Sequence, residues 1–181
     1  MKKIFLSLFI FLPTLCIMAQ DIPTNKESGE YEYSGIIVIP GATNDKLYNE
    51  ARTWLLVNLT SDDNMVQLTD PEKKMLLGSG YLSLDPRPEM ANCSVNFKVI
   101  LEFKDGKCRY IVTNLWHKYY QAGMAEIRSS LKIIRTNNWD GVPVKPAIQE
   151  KIRAEINTKV TALINNLESF LKNSGNKSTD W

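Results

Sequence analysis

Histidine is nearly absent: His117 is the single one in 181 residues. A centre built from several imidazoles is excluded, and a nucleophile–histidine–acid triad has only one position to draw on. Cysteine is scarce as well. Cys16, Cys93 and Cys108 are too few for the disulfide framework of a small secreted scaffold. Neither sign of charge dominates, with 22 Lys and Arg against 20 Asp and Glu. No Gly-x-Ser-x-Gly nucleophile elbow occurs. Gly78-Ser79-Gly80 runs on into Tyr81-Leu82-Ser83-Leu84, a strand, whereas a dinucleotide loop opens a helix. Asp62-Asp63-Asn64 and Asp70-Pro71-Glu72 lack the oxygen spacing and turn glycine of a calcium loop, and read as a helix end and a turn. No set of residues calls for a cofactor or a metal.

What is present begins with a three-part N-terminus. Lys2 and Lys3 precede an apolar run from Ile4 to Leu12, then Pro13, and Ile17-Met18-Ala19 supplies a small residue before Gln20. This is the pattern of a secretory signal peptide over residues 1–19, cut after Ala19. It places the mature protein in the periplasm or outside the cell. The run is too short for a spanning helix, and no later segment reaches about 18 apolar residues. Cys16 raises a lipoprotein alternative, but the bulky Leu15 stands where that processing wants a small residue. Loss of Lys2 and Lys3 leaves 20 basic against 20 acidic residues. A neutral mature chain argues against nucleic acid, which needs a basic footprint.

Composition is otherwise that of a globular protein, 44% hydrophobic and 23% charged. Residues 20–30 are polar, with Pro and Gly, and read as a flexible leader ahead of one domain over 31–172. Residues 31–40, aromatic and β-branched, make the first strand and stop at Pro40-Gly41. Leu47, Tyr48, Ala51, Trp54, Leu55 and Leu59 then fall on one face of a helix over 44–59, capped by Thr43 or Asn44. Strands follow at 65–69 and about 74–84, and Pro86 and Pro88 break the pattern.

The segment 94–115 is the most legible. Val95, Phe97, Val99, Leu101 and Phe103 alternate with Ser94, Asn96, Lys98, Ile100 and Glu102 up to Asp105-Gly106, a two-residue type I′ turn. That turn sets Lys104 opposite Lys107, Phe103 opposite Cys108, Leu101 opposite Tyr110 and Val99 opposite Val112. Glu102 then meets Arg109 and Ile100 meets Ile111 on the other face. A slip of one residue would ruin both faces. The same register holds Cys108 ten residues from Cys93, roughly 33 Å along a strand, so two thiols are expected rather than a disulfide. Residues 116–147 read as an irregular excursion with one short helix near 125–134. From Pro146 a helix over 148–171 carries Ile148, Ile152, Ile156, Val160, Leu163, Leu167 and Phe170 or Leu171 on one stripe, followed by a disordered tail at 173–181.

The order is β-α-β-β-β-β-α. An α+β fold, one antiparallel sheet with two helices on one face, satisfies every apolar stripe. The series IIVIPG, LYNEARTWL, GSGYLSL and FKVILEFKDGKCRYIVTNL resembles a family of exported bacterial domains of unknown function with a TATA-box-binding-protein-like fold, over about residues 34–172. The resemblance implies the same sheet and helices, no assigned activity and no catalytic residue to carry over. Residues 116–147 are longer and more aromatic than the family pattern. A fold name does not bring DNA binding with it.

The sheet face left open would carry Asn96, Lys98, Glu102, Arg109 and Thr113, with Ile100, Ile111 and Leu115 among them. Trp116, Tyr119, Tyr120 and Trp139 sit in or beside the irregular segment, outside any clean period. A contact surface and a cover for the open end of a small core explain them equally. Trp54 lies on the helix stripe and reads as core, and His117 as structural. The candidate partner-binding residues are thus Trp116, Tyr119, Tyr120, Trp139, Ile100 and Ile111. The leading reading is a non-catalytic module of the cell envelope that binds a protein or glycan. An exported hydrolase using Asp and Glu pairs, and an envelope protein that forms homodimers, are the alternatives. Intact-mass measurement of the exported protein is expected to give a chain beginning at Gln20; a lipid-modified Cys16 would refute cleavage after Ala19.

Overall fold

Gly106 adopts φ +70°, the left-handed conformation that a two-residue hairpin turn demands. Around it β4 (Ala91–Lys104) and β5 (Lys107–Tyr120) pair in the expected register, from Lys104 opposite Lys107 to Val99 opposite Val112. The computed structural model describes residues 22–59, 66–85, 91–120, 126–130, 138–139, 142–143 and 145–175. The expected signal peptide over 1–19, with Cys16, and the last six residues of the expected tail lie outside them. The remaining elements are β1 (Tyr33–Val38), α1 (Asn44–Asn58), β2 (Val66–Asp70), β3 (Met75–Ser83), β6 (Glu126–Ser130), β7 (Asn138–Trp139), β8 (Val142–Pro143) and α2 (Pro146–Gly175). The sheet runs β1-β5-β4-β3-β2, antiparallel throughout, with β6 also paired to β5.

The hairpin turn is also the anchor of α1. The backbone N–H groups of Ile39 and Gly106 donate to Gly106 and Ala42 carbonyls, each at 2.8 Å. Asp105 Oδ1 accepts from Asn44 N–H at 2.8 Å, and Thr43 Oγ1 from Lys46 N–H at 3.3 Å. Two of the helix's orphan donors are thereby satisfied, one by its own cap and one by a carboxylate placed at the positive end of the dipole.

One core joins the inner face of the sheet to both helices. Val95, Phe97, Val99, Leu101 and Phe103 of β4 meet Leu47, Tyr48, Ala51, Trp54 and Leu55 of α1, with Ile152, Ile156, Val160, Leu163, Leu167 and Leu171 of α2. Polar ties fix how α2 crosses. Trp54 Nε1 donates to Asn166 Oδ1 at 2.7 Å, Tyr33 Oη to Asn157 Oδ1 at 3.0 Å, and Asp85 N–H to Glu155 Oε1 at 2.6 Å. Cys93 and Cys108 are buried near opposite ends of the hairpin and are not bonded to each other. Burial pushes the Cys108 thiol up to about 12, so it stays protonated and inert at neutral pH.

Several expectations are corrected. The leader is tied down: Thr24 bridges to Tyr31, and Ile22 and Tyr31 are buried in the core, so side chains at both ends of the segment hold it. The region 116–147 begins with five more residues of β5, and β6 stands where a helix was expected. Backbone pairing from Trp116–Ser130 to Tyr120–Glu126 overrides the mixed periodicity there. Helix α2 continues through Gly175, past the expected start of the tail.

The main correction is a bulge. Pairing passes from Lys98–Thr113 to Asn96–Trp116, so Asn114 and Leu115 together oppose Phe97. Asn114 takes φ 52°, which an asparagine tolerates better than other non-glycine residues. The pleat changes phase there. Leu115, His117 and Tyr119 turn into the core, whereas Leu115 was expected on the open face. Asn92, at φ 50°, marks a second bulge in β4.

Gly35 and Tyr110 are direct partners. A Cβ on Gly35 would lie 2.5–2.9 Å from the Tyr110 ring and hydroxyl. Gly35→Ala is therefore expected to cost about 1–3 kcal/mol in denaturant unfolding, and most of that cost should vanish in a Tyr110→Ala background. Equal cost in both backgrounds would show that the ring is not what requires glycine.

Candidate functional site

The register lays out the outer face of the sheet row by row. Val38, Lys107 and Lys104 form the row nearest the hairpin turn. Ile36, Arg109, Glu102 and Met75 follow, then Ser34, Ile111, Ile100 and Leu77. Thr113, Lys98 and Ser79 come next. Beyond the bulge stand Trp116, Asn96 and Tyr81, and then Arg128, Lys118, Ser94 and Ser83. Both helices pack on the opposite side of the sheet, so neither lies over these rows.

The chemistry of the rows differs along the strands. The middle is an apolar belt in which Ile100 and Ile111 face each other, both half-buried. Ile36 and Val38 extend it towards the β1 edge at 63% and 51% exposure. Past the bulge the face turns aromatic, with Trp116 and Tyr81 flanking Asn96. The Arg128 guanidinium lies 5.2 Å from the Trp116 ring centroid, within range of the attraction between a cation and the negative face of an indole.

Two concavities mark the ends. One, of about 480 Å³, lies by the hairpin turn and is lined by Ile36, Met75, Lys73, Lys104, Lys107 and Arg109, together with Glu102 and Phe103. Glu102 accepts from Arg109 at 3.1 Å. The other, of about 340 Å³, is lined by Tyr81, Ser83, Ser94, Lys118 and Tyr120 together with Leu84, Asn92 and Cys93. Both are shallow depressions that could receive part of a larger partner.

Of the six sequence-derived candidates, Ile100, Ile111, Trp116 and Tyr120 share this face. Tyr119 does not. It is 1% exposed and stacks on His117, with ring centroids 5.1 Å apart. The phase change at Asn114 sends both side chains inward, which makes His117 a core residue. Trp139 lies in the separate β7–β8 ribbon. Sequence reasoning missed Tyr81, Lys118 and Arg128. Tyr81 was legible as a strand residue, but its neighbours on the face lie in strands whose far ends were unread.

Stability separates this face from the core. Leu101→Ala, at a fully buried position, is expected to cost about 2–5 kcal/mol. Its neighbour Ile100→Ala should cost about 1 kcal/mol, as only part of its surface is removed from water. Equal losses in urea titration would mean that the belt is covered.

The comparisons agree with this architecture. The chain is similar to a TBP-like protein from Parabacteroides distasonis, with TM-score 0.65 and 14% identity, over 84% of this chain and 97% of that one. It is also similar to a DUF4468 family protein from Bacteroides ovatus, with TM-score 0.58 and 14% identity, over 91% and 95%. At such identities the likeness is one of fold. No protein of curated function matches the chain. Residues 33–118 match the family model described as a domain of unknown function with TBP-like fold. That span runs from the start of β1 to Lys118, taking in β1 to β4, most of β5 and α1, and it is the part of the chain that is similar to the DUF4468 family.

Proposed function

We propose that the protein is a non-catalytic binding module of the cell envelope, exported by residues 1–19, which takes a protein or glycan partner on the outer face of its sheet. The observation that supports this most is the arrangement of that face. An apolar belt, an aromatic row and two shallow depressions stand on a rigid antiparallel scaffold, opposite the side that both helices occupy. Apolar and aromatic side chains presented together on an ordered surface are what interface cores use. Ladder hydrogen bonds hold them in place before binding, so little ordering entropy opposes it.

The hydrolase alternative needs two carboxylates brought together in a cleft. The carboxylate in the larger depression, Glu102, is instead engaged by Arg109 at 3.1 Å among lysines, an arrangement suited to shaping a surface. A homodimer made by this face would set its cationic rows against themselves, a repulsion that isologous pairing repeats on both sides.

The test is comparative. Immobilised wild-type protein should retain from envelope extract, or on a glycan array, a partner that a paired Ile100→Ser and Ile111→Ser variant loses. A Leu56→Ser variant, altered on the exposed side of α1 at 56% exposure, should retain it. Equal retention by the face variant, or no specific partner in either format, would overturn the proposal. Light scattering on the same samples reports a second copy as occupant.

A further inference from the structure

The two edges of the sheet are finished differently. β2 forms one, with a break in register between Val66 and Leu68 and with Asp70 paired to Lys73 at 3.4 Å. Charges and bulges of this kind keep a foreign strand off an edge. β1 forms the other over its own length. Its six residues, Tyr33-Ser34-Gly35-Ile36-Ile37-Val38, hold no charge, no proline and no bulge. Two of its side chains, Ile36 and Val38, are more than half exposed.

Two hydrogen bonds fix which backbone groups of β1 are open. The Ile39 N–H donates to the Gly106 carbonyl at 2.8 Å, towards the β4–β5 turn. Backbone direction alternates along a strand, so Tyr33, Gly35 and Ile37 turn to β5 and the residues between them turn away. The Glu32 N–H agrees, donating to the Pro23 carbonyl at 3.0 Å, so the leader covers the outer edge as far as Glu32. Beyond it the N–H and C=O groups of Ser34, Ile36 and Val38 point outward with no hydrogen-bond partner among the described residues. They repeat about every 6.8 Å, the period of a strand.

Beside this open edge stand two unmatched cations. Lys107 is the cross-strand neighbour of Val38, and Lys104 that of Lys107. Both line the depression of about 480 Å³ that Ile36 borders from β1. Of its other cations, Lys73 is paired with Asp70 and Arg109 with Glu102. Lys104 and Lys107 have no ion-pair or hydrogen-bond partner among the described residues. A strand laid on β1 would stand two strand spacings, about 9.6 Å, from β5. A glutamate on it, beside Val38, is within reach of the flexible Lys107 side chain. A glycan has no ladder of N–H and C=O groups at strand period, and an extended polypeptide does. A second copy of β1 would bring no carboxylate to the lysines, since the strand is uncharged and the edge of its nearest acid, Glu32, is taken by Pro23.

We propose that the partner is a protein, which adds an extended segment antiparallel to β1 along Ser34–Val38 and sets an acidic side chain beside Val38 for Lys107 and Lys104. The proposal rests on the reading of the protein as a binding module and decides between protein and glycan. The test uses the full mature chain and a blocked heptapeptide, acetyl-Thr-Glu-Thr-Val-Thr-Glu-Thr-amide, which sets Val beside Ile36 and Glu beside Val38 and Ser34. Amide hydrogen exchange followed by NMR should show Ser34, Ile36 and Val38 exchanging fast in the free protein. They should slow about tenfold at peptide near ten times its Kd, while Gly35 and Ile37 are slow throughout. Methylating the central Val nitrogen should abolish the effect, because that N–H faces the Ile36 carbonyl. The Lys-for-Glu peptide should bind about tenfold more weakly, and Lys104→Glu with Lys107→Glu should reverse that order. Equal binding of the two peptides by the wild-type protein would overturn the acidic assignment, and binding that survives N-methylation would overturn strand addition. Protection of the three amides before peptide is added would show the edge already filled, by a second copy where light scattering reports a dimer, and would overturn the whole proposal. No binding of the acidic peptide would overturn it too, while a partner captured from extract and lost with Ile100→Ser and Ile111→Ser would leave the binding-module reading standing.

Discussion

The Asp105-Gly106 turn is the constraint on which the rest of the molecule depends. A two-residue connection allows one register between β4 and β5, and that register assigns every side chain of both strands to a face. Val95, Phe97, Val99, Leu101 and Phe103 go inward together, and the core follows. The same turn receives α1, since Asp105 accepts from Asn44 and Gly106 bonds to Ile39 and Ala42. One local conformation therefore sets sheet pairing, core composition and helix placement at once. It equally determines which residues stand in rows on the outer side, so the candidate site is a consequence of the same turn.

Helix stripes and the central hairpin were legible because each element shows an unbroken period. Leu47 to Leu55 and Ile152 to Leu171 repeat at helical spacing, and every second residue from Val95 to Phe103 is apolar. The end of β5 was not legible because its period is interrupted once. Val112 and Leu115, both core residues, lie three apart, which suits neither a continuous strand nor a single face. Read as a fault, the break ends the strand; read as a bulge at an asparagine that accepts positive φ, it continues it. Leu115, His117 and Tyr119 then resume the inward alternation, and Trp116, Lys118 and Tyr120 the outward one. The Leu115 and Tyr119 assignments both trace to that single residue. Partner strand β6 could not be read locally, because Glu126–Ser130 is too short and polar to signal burial and is held by its pairing with β5.

Charge shows the limit of composition. A balanced charge count argues against nucleic acid, but summed charge carries no information on placement. In this fold several acidic residues sit on the helices, away from the face: Asp45 and Glu50 on α1, and Glu150, Glu155 and Glu168 on α2. The cations of β4, β5 and β6 gather on one side. Long-range steering depends on that local field and not on the total.

The two sides of the sheet answer to different demands. On the inner side nearly every choice favours stability: apolar residues close-packed, Trp54 and Tyr33 hydrogen-bonded to α2, and Gly35 opposite Tyr110 where no larger residue fits. On the outer side Ile36 and Val38 meet water, and Lys104 faces Lys107 across the hairpin. Either feature alone is common on a protein surface. Together on one face they run against solubility and stability in the same place, while cross-strand neighbours such as Glu102 and Arg109 show that the sheet accommodates matched pairs readily. An apolar and aromatic strip presented to water beside matched charge pairs is organised around contact with something else.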